Sequence, residues 1–151
     1  MFAASNKDNT FIKISFDKFK KPTSTSENKP NFIVGFTVRI SSHGQYQDLY
    51  IHGYLNATKS TYYWDNLAAC SLFSSGAFTN NEINQIYFIV ENDIPQIYIP
   101  IRKDSAVGIS LFDFINAGSN KFILDKDSIV LSQVSGTPTS GVRTVTRPLL
   151  K

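Results

Sequence analysis

The sequence predicts an all-β fold, an antiparallel β-sandwich or jelly roll, and two observations lead to that prediction. Apolar side chains occupy every second position in segments spread along the chain, which is the pattern of half-buried strands. Aromatic residues make up 13% of the composition, including twelve Phe and seven Tyr, and both residue types favour strands. A chain of 151 residues is about one domain and can bury a core without disulfide bonds.

The first third of the chain predicts three strands. The first is marked by alternating apolar residues: Ile12, Ile14 and Phe16. In 32–40, "FIVGFTVRI", every second residue is apolar, which is the clearest strand signal in the chain. In 48–55, "DLYIHGYL", the apolar positions share one face, and the residues between them face outward: Tyr50, His52 and Tyr54. Turn residues at 41–45 join the last two strands into an antiparallel hairpin.

Two short segments allow either a helix or a strand. In 65–73, Asp65 can cap a helix, and in 110–118, Ser110 can cap one that ends at Gly118. Both segments are short, and neighbouring strands compete for their residues. The strand interpretation is favoured for most of them.

A second hairpin is predicted in 84–103. Alternating apolar residues line one face of each arm, and polar residues at 91–93 form the turn. Pro95 and Pro100 lack the N–H group that a strand ladder uses, which predicts that the second arm lies at a sheet edge. One or two further strands are expected in 122–130.

The predicted organisation is one β-sandwich head domain with an N-terminal arm over residues 1–134, followed by a polar, basic tail over 135–151. The tail has no apolar periodicity, and neither has the connection at 17–31, which is rich in Lys, Ser and Pro. Both are expected to be unpacked. No internal repeat is visible in the sequence.

The overall charge is mildly basic, with a formal net charge of +3 and a pI of about 9.0. Lys and Arg do not cluster among aromatic residues along one strand, so nucleic acid is not a predicted partner. A charge of this size is compatible with attraction to an anionic partner, although it more often serves only solubility.

Cysteine and hydropathy patterns predict a soluble protein that folds without oxidation. Cys70 is the single cysteine, which excludes an intrachain disulfide and a cysteine zinc site. The chain does not begin with a basic segment followed by an apolar stretch, and no apolar run reaches the roughly 18 residues of a membrane helix. We therefore expect no signal peptide, no transmembrane segment and no membrane insertion.

No catalytic motif stands out, so neither an enzymatic activity nor a cofactor or metal is predicted. The two histidines, His43 and His52, have no partner at ligand spacing. Asp125 and Asp127 can suit calcium, but a solvated turn is the commoner role of such a pair. The segment 108–112, "GISLF", begins like a nucleophile elbow but lacks the second glycine.

The strongest candidate for a binding site is the run of Tyr62, Tyr63 and Trp64. On a strand, Tyr62 and Trp64 share one face while Tyr63 lies on the other. One face is expected to pack into the core, and for Trp64 the core and ligand contact remain open alternatives. Exposed rings of this cluster are expected to stack on sugar rings. Neighbouring residues are expected to add stacking or hydrogen bonds: Tyr50, Tyr54, Arg39 and Lys59.

Five segments follow one another in the order "FIVGFTVRI", "LYIHGYL", "YYWDNLAACSLF", "IYFIVENDIPQIYIPI" and "VGISLFDF". This order resembles the C-terminal receptor-binding head domains of tailed-bacteriophage tail fibres. The resemblance covers residues 11–131 as a pattern of strands, so no site residue is transferred by motif. It implies a homotrimeric, non-enzymatic β-sandwich of the virion that recognises a bacterial surface glycan or outer-membrane protein during host attachment.

The alternative interpretation is a structural virion or assembly protein whose β-sandwich associates with its own copies. In that case the tail over 135–151 is an arm that reaches a neighbouring subunit. A third hypothesis, a depolymerase or other hydrolase, has no motif in its support.

Overall fold

A computed structural model describes residues 10–17, 32–42, 45–57, 62–74, 85–101, 108–118, 129–138 and 143–146. The predicted N-terminal arm and most of the connection at 17–31 lie outside these residues. The described residues form nine strands and no helix, which confirms the all-β prediction. In chain order the strands are β1 (Thr10–Ser15), β2 (Phe32–Ser42), β3 (Gln45–Ala57), β4 (Tyr62–Ser74), β5 (Gln85–Glu91), β6 (Ile94–Ile101), β7 (Gly108–Gly118), β8 (Val130–Ser135) and β9 (Arg143–Thr146).

The strands pair into two antiparallel sheets. The five-stranded sheet has the order β8-β1-β6-β5-β9, and the four-stranded sheet has the order β4-β3-β2-β7. Both predicted hairpins are present, since β2 pairs with β3 and β5 pairs with β6. The inward sides of the two sheets share one apolar core, which is the architecture of a β-sandwich.

The core follows from the period-two alternation of the strands. Each sheet buries the apolar side chains that occupy every second position of its strands. The fully buried members include Ile14, Phe16, Phe36, Val38, Ile40, Leu49, Ile51, Leu55, Phe88, Ile97 and Ile99. Burial of one such side chain contributes about 1.5–3 kcal/mol relative to exposure, so this shared core is the main source of stability.

The two segments with ambiguous patterns are both strands. The first lies in β4, which pairs with β3, and the second lies in β7, which pairs with β2. Register shifts occur between Gly35 and Thr37 in the β2–β7 pair and between His52 and Tyr54 in the β3–β4 pair. A bulge inserts one extra residue into a strand and moves the alternation by one position. This displacement explains why the sequence of these strands also permits helical spacing.

The prediction that the second arm of the later hairpin lies at a sheet edge is wrong. This arm is β6, which pairs with β1 on one side and with β5 on the other. Pro100 lies beyond Tyr98, the last β6 residue that pairs with β5. Pro95 lies just past the end of β1, where its carbonyl accepts the Phe16 N–H at 3.1 Å. Each proline therefore sits where a neighbouring ladder ends, and no bond inside a ladder is lost.

The predicted polar turn between β5 and β6 is confirmed. Its central residues, Asn92 and Asp93, have φ angles of 52° and 62°. Positive φ at both positions is the geometry of a two-residue type I′ turn, and Asn and Asp tolerate it better than most residues. The turn places Glu91 directly opposite Ile94.

The one or two strands predicted in 122–130 fall mostly on residues 119–128, which lie outside the described residues. Val130, at the end of this segment, is the first residue of β8. The expectation of an unpacked tail over 135–151 is wrong for Arg143–Thr146, because this stretch forms β9 and pairs with β5. The domain boundary after residue 134 stays a prediction.

Candidate functional site

The outward side of β3 carries two of the aromatic residues predicted to form the site. Leu49, Ile51 and Leu55 of this strand are buried in the core, whereas Tyr50 and Tyr54 alternate with them and are half-buried. The predicted division of this strand into an apolar inner face and an aromatic outer face is confirmed. The two tyrosines are four positions apart, which corresponds to about 13 Å along a strand.

Tyr63 joins the same outer face from the neighbouring strand β4. The register places Tyr63 opposite Asn56, and Asp65 opposite Tyr54. Tyr54 and Tyr63 are therefore diagonal neighbours at about 7–8 Å, and Tyr63 is half-buried. We refer to Tyr50, Tyr54 and Tyr63 together as the tyrosine face.

Trp64 lies in the core, not on the tyrosine face. Its side chain is 1% exposed, and its Nε1 N–H donates to the carbonyl oxygen of Ile89 at 2.9 Å. Its ring packs against Phe16 and Phe88, with ring centroids 6.0 and 5.6 Å apart. Of the two alternatives for Trp64, the structure therefore shows the core, and this ring offers no surface for stacking.

Arg39 lies on the outer face of β2 and is held by a carboxylate. Its Nε donates to Asp48 Oδ1 at 2.8 Å and its Nη2 donates to Oδ2 at 2.9 Å, and the two residues lie directly opposite in the register. The arginine side chain is 43% exposed and the aspartate side chain 13%. This bidentate pair fixes the guanidinium beside Tyr50, the next outward residue along β3.

For two predicted site residues, Tyr62 and Lys59, the described structure does not include the side chain. The backbone of Tyr62 begins β4 opposite Ala57, but its side chain lies outside the description. Lys59 lies outside the described residues altogether. Their proposed contacts with a ligand stay predictions.

The β2 residues opposite Tyr50 and His52 are small. Thr37, 4% exposed, lies opposite Tyr50, and the buried Gly35 lies opposite His52. The tyrosine rings of β3 therefore project further from the sheet than these two residues of β2 do. Tyrosine combines an apolar ring with a hydroxyl that donates and accepts hydrogen bonds, so this face is suited to the C–H faces and hydroxyl groups of a sugar.

The described structure also holds a half-open cleft that the sequence does not reveal. Its volume is about 350 Å³, and it lies over the outer side of the five-stranded sheet. Residues of β5, β6 and β8 line it, with Glu91 and Tyr98 among them, and residues 135–138 close one side. No sequence signal marks this cleft, because it depends on β6 lying inside the sheet and on the chain after β8 folding over it.

Comparisons with known proteins do not add an assignment to this geometry. Searches against known protein families, curated proteins and solved structures find no match. Within the described ranges, no group of three or more His, Cys, Asp or Glu side chains is placed to hold a metal ion. No helix in the same part of the chain is long and apolar enough to cross a membrane.

Proposed function

We propose that this chain is a non-enzymatic binding domain that attaches its virion to a bacterial cell by holding a surface glycan or protein. The observation that carries the proposal is the row of three half-buried tyrosines on one outward sheet face. The virion, the host and a trimeric assembly are suggested by the resemblance to tail-fibre heads. A glycan is the favoured ligand, because its flat C–H surfaces match the rings.

A rigid sheet makes these rings better anchors than rings on a loop would be. Tyr50 and Tyr54 belong to β3, which is paired on both sides, by β2 and β4. Their partial burial already restricts the side chains, so binding orders little that is still free. Tyr has few rotatable bonds for its contact area, which is why it is common in binding surfaces.

We expect Tyr54→Ala to weaken binding by about tenfold, the effect of removing one well-placed aromatic anchor. The binding assay uses an array of bacterial surface polysaccharides and oligosaccharides, followed by titration of the best ligand. Tyr87→Ala is the matched control, because Tyr87 is also half-buried but lies on the other sheet, in contact with Phe11.

The two variants separate a binding role from a structural one. The tyrosine face is supported if only Tyr54→Ala loses binding and both proteins melt within a few degrees of each other. Equal loss of binding in both variants, or unchanged binding in Tyr54→Ala, contradicts the proposal.

A second candidate function, self-association in an assembly, is favoured by strand β8. This strand lies at the edge of the five-stranded sheet, and its sequence "VLSQVS" has no charge and no proline. Val130 and Leu131 are 48% and 41% exposed. Among the described residues, these two are the large hydrophobic side chains that are exposed to solvent. Edge strands are normally protected by charge, proline or a covering element, so this edge is suited to pairing with a second copy.

In the assembly interpretation we expect the protein to have a solution mass that is a multiple of its 16.9 kDa chain mass. Leu131→Lys places a charge on the edge and is expected to reduce that mass to a monomer. Ser110→Lys is the control, because Ser110 is exposed on β7, the edge of the other sheet. Light scattering measures the masses. A mass that Leu131→Lys leaves unchanged rules out association through β8.

A further inference from the structure

The cleft over the five-stranded sheet is built by the β5–β6 hairpin and by β8, which is distant from the hairpin in sequence. Ile89 of β5, Tyr98 of β6 and Val134 of β8 contribute to its lining. It lies on the side of the sandwich opposite the tyrosine face, so it is a separate site. Its volume of about 350 Å³ falls at the lower end of the range of small-ligand pockets, about 300–1,000 Å³.

One wall of the cleft comes from residues 135–138, which we refer to as the strap. β8 and β9 lie at opposite edges of the sheet, and residues 136–138, where the chain leaves β8, line the cleft. Gly136 has a φ of 98°, and a Cβ there would have open space around it. The glycine is therefore required by the backbone conformation, not by crowding. The cleft follows from the topology and from this turn.

Among the described residues that line the cleft, Glu91 is the one that carries a charge, although the whole chain carries a net charge of +3. Burial, followed by the negative charge of Glu91, raises the pKa of the Tyr98 phenol above its usual value. The phenol is therefore neutral at physiological pH, and the carboxylate determines which charge the cleft accepts.

A buried hydrogen-bond acceptor beside the cleft has no donor. Gln96 lies on the outward side of β6, opposite Ile89 and two residues before Tyr98. Its side chain is 5% exposed, and its Oε1 has no hydrogen-bond partner in the described part of the chain. Gln96 is not among the residues that line the cleft, so the charged group that a ligand meets in the described lining is the Glu91 carboxylate.

We propose that this cleft binds an organic cation, namely a primary ammonium group on a short apolar chain. The ammonium group donates to the Glu91 carboxylate and lies near the Tyr98 ring. The apolar chain packs against Ile89 and Val134. An anion is repelled by the carboxylate, and a neutral chain of the same length leaves the carboxylate without a charged partner.

Three ligands with the same four-carbon chain test the charge requirement: butylammonium, 1-butanol and butyrate. Each is titrated into the full chain, and the amide NMR shifts of Ile89, Tyr98, Val134 and Gly136 report on occupancy. We expect butylammonium to bind about tenfold more tightly than 1-butanol, and butyrate not to bind. Butylammonium is also expected to lower the pKa of Tyr98, because a nearby cation favours the phenolate.

Two variants at the β5–β6 turn separate a specific contact from a general effect of charge. Glu91→Gln keeps the shape of the lining and is expected to weaken butylammonium binding about 3- to 10-fold. Asp93→Asn removes a carboxylate two residues away that does not line the cleft, and asparagine tolerates the positive φ of this position. We expect this control to change binding by less than about twofold.

The proposal is overturned if 1-butanol binds as tightly as butylammonium, if both variants have the same effect, or if no ligand gives saturable shifts at the cleft. A lysine tripeptide with blocked ends then identifies the source of the cation. Tighter binding of the peptide supports a lysine side chain of a partner protein. Equal binding of the peptide and butylammonium supports a free small amine.

Discussion

Replacing Trp64 with alanine is expected to lower the free energy of unfolding by about 3–5 kcal/mol, the range for a large aromatic residue removed from a core. The ring is 1% exposed and lies 5.6 Å, between ring centroids, from Phe88. Its N–H also donates to Ile89, which loses its partner in the variant. Since Trp64 belongs to the four-stranded sheet and both partners belong to β5, the substitution removes a link between the two sheets.

Urea denaturation measures this effect, and two further variants locate its cause. Trp64→Phe keeps an aromatic ring but removes the N–H donor, and we expect a loss of about 1–3 kcal/mol. Tyr63→Ala removes the neighbouring ring on the outer face and is expected to cost less than Trp64→Ala. If Trp64→Ala costs less than about 1 kcal/mol, the ring does not hold the sheets together.

Gly53→Ala is expected to lower the free energy of unfolding by about 1–3 kcal/mol, because it overpacks the core. A Cβ at this position would lie 2.9 Å from Trp64 Cε3 and 3.3 Å from Phe88 Cε2. Both neighbours are rings held inside the core, so neither moves without disturbing its own contacts. Gly53 thus leaves the space on β3 that the indole of Trp64 fills.

Gly108→Ala is the control for this prediction and tests whether distance alone decides the cost. Its Cβ would approach Ser41 Oγ even more closely, at 2.6 Å, but that hydroxyl lies in an exposed contact and can rotate. We expect little change in stability, measured by the same denaturation. The cost of Gly53→Ala should also shrink in a Trp64→Phe background, because the smaller ring leaves room. Equal costs in both backgrounds contradict direct crowding by the indole.

The parts of the fold that the sequence predicts correctly are those where alternation is uninterrupted. In β2 and β3 each side chain's environment follows from its position along the strand, so the apolar positions identify the inner face. The same rule predicts the outward placement of Tyr50 and Tyr54. In β4 it leaves Trp64 undecided, because alternation separates two faces without saying which one meets the other sheet.

The parts that the sequence does not predict depend on contacts between distant segments. Pro95 and Pro100 indicate an edge strand by their chemistry, but the lengths of the neighbouring ladders leave room for both inside the sheet. Arg143–Thr146 has no strong apolar alternation. It forms a strand because it pairs with β5 on the side that β6 does not occupy. The cleft is lined both by Tyr98 and by the strap, which lies about 40 residues later in the chain, so no local sequence pattern can predict it.

The most direct test of ligand binding at the tyrosine face is a map of NMR shifts on adding the saccharide that the array selects. We expect the largest changes at Tyr50, Tyr54 and Tyr63 and at the residues paired with them on β2 and β4. Changes confined to the opposite side of the sandwich, around Tyr98 and the strap, would contradict the proposed function.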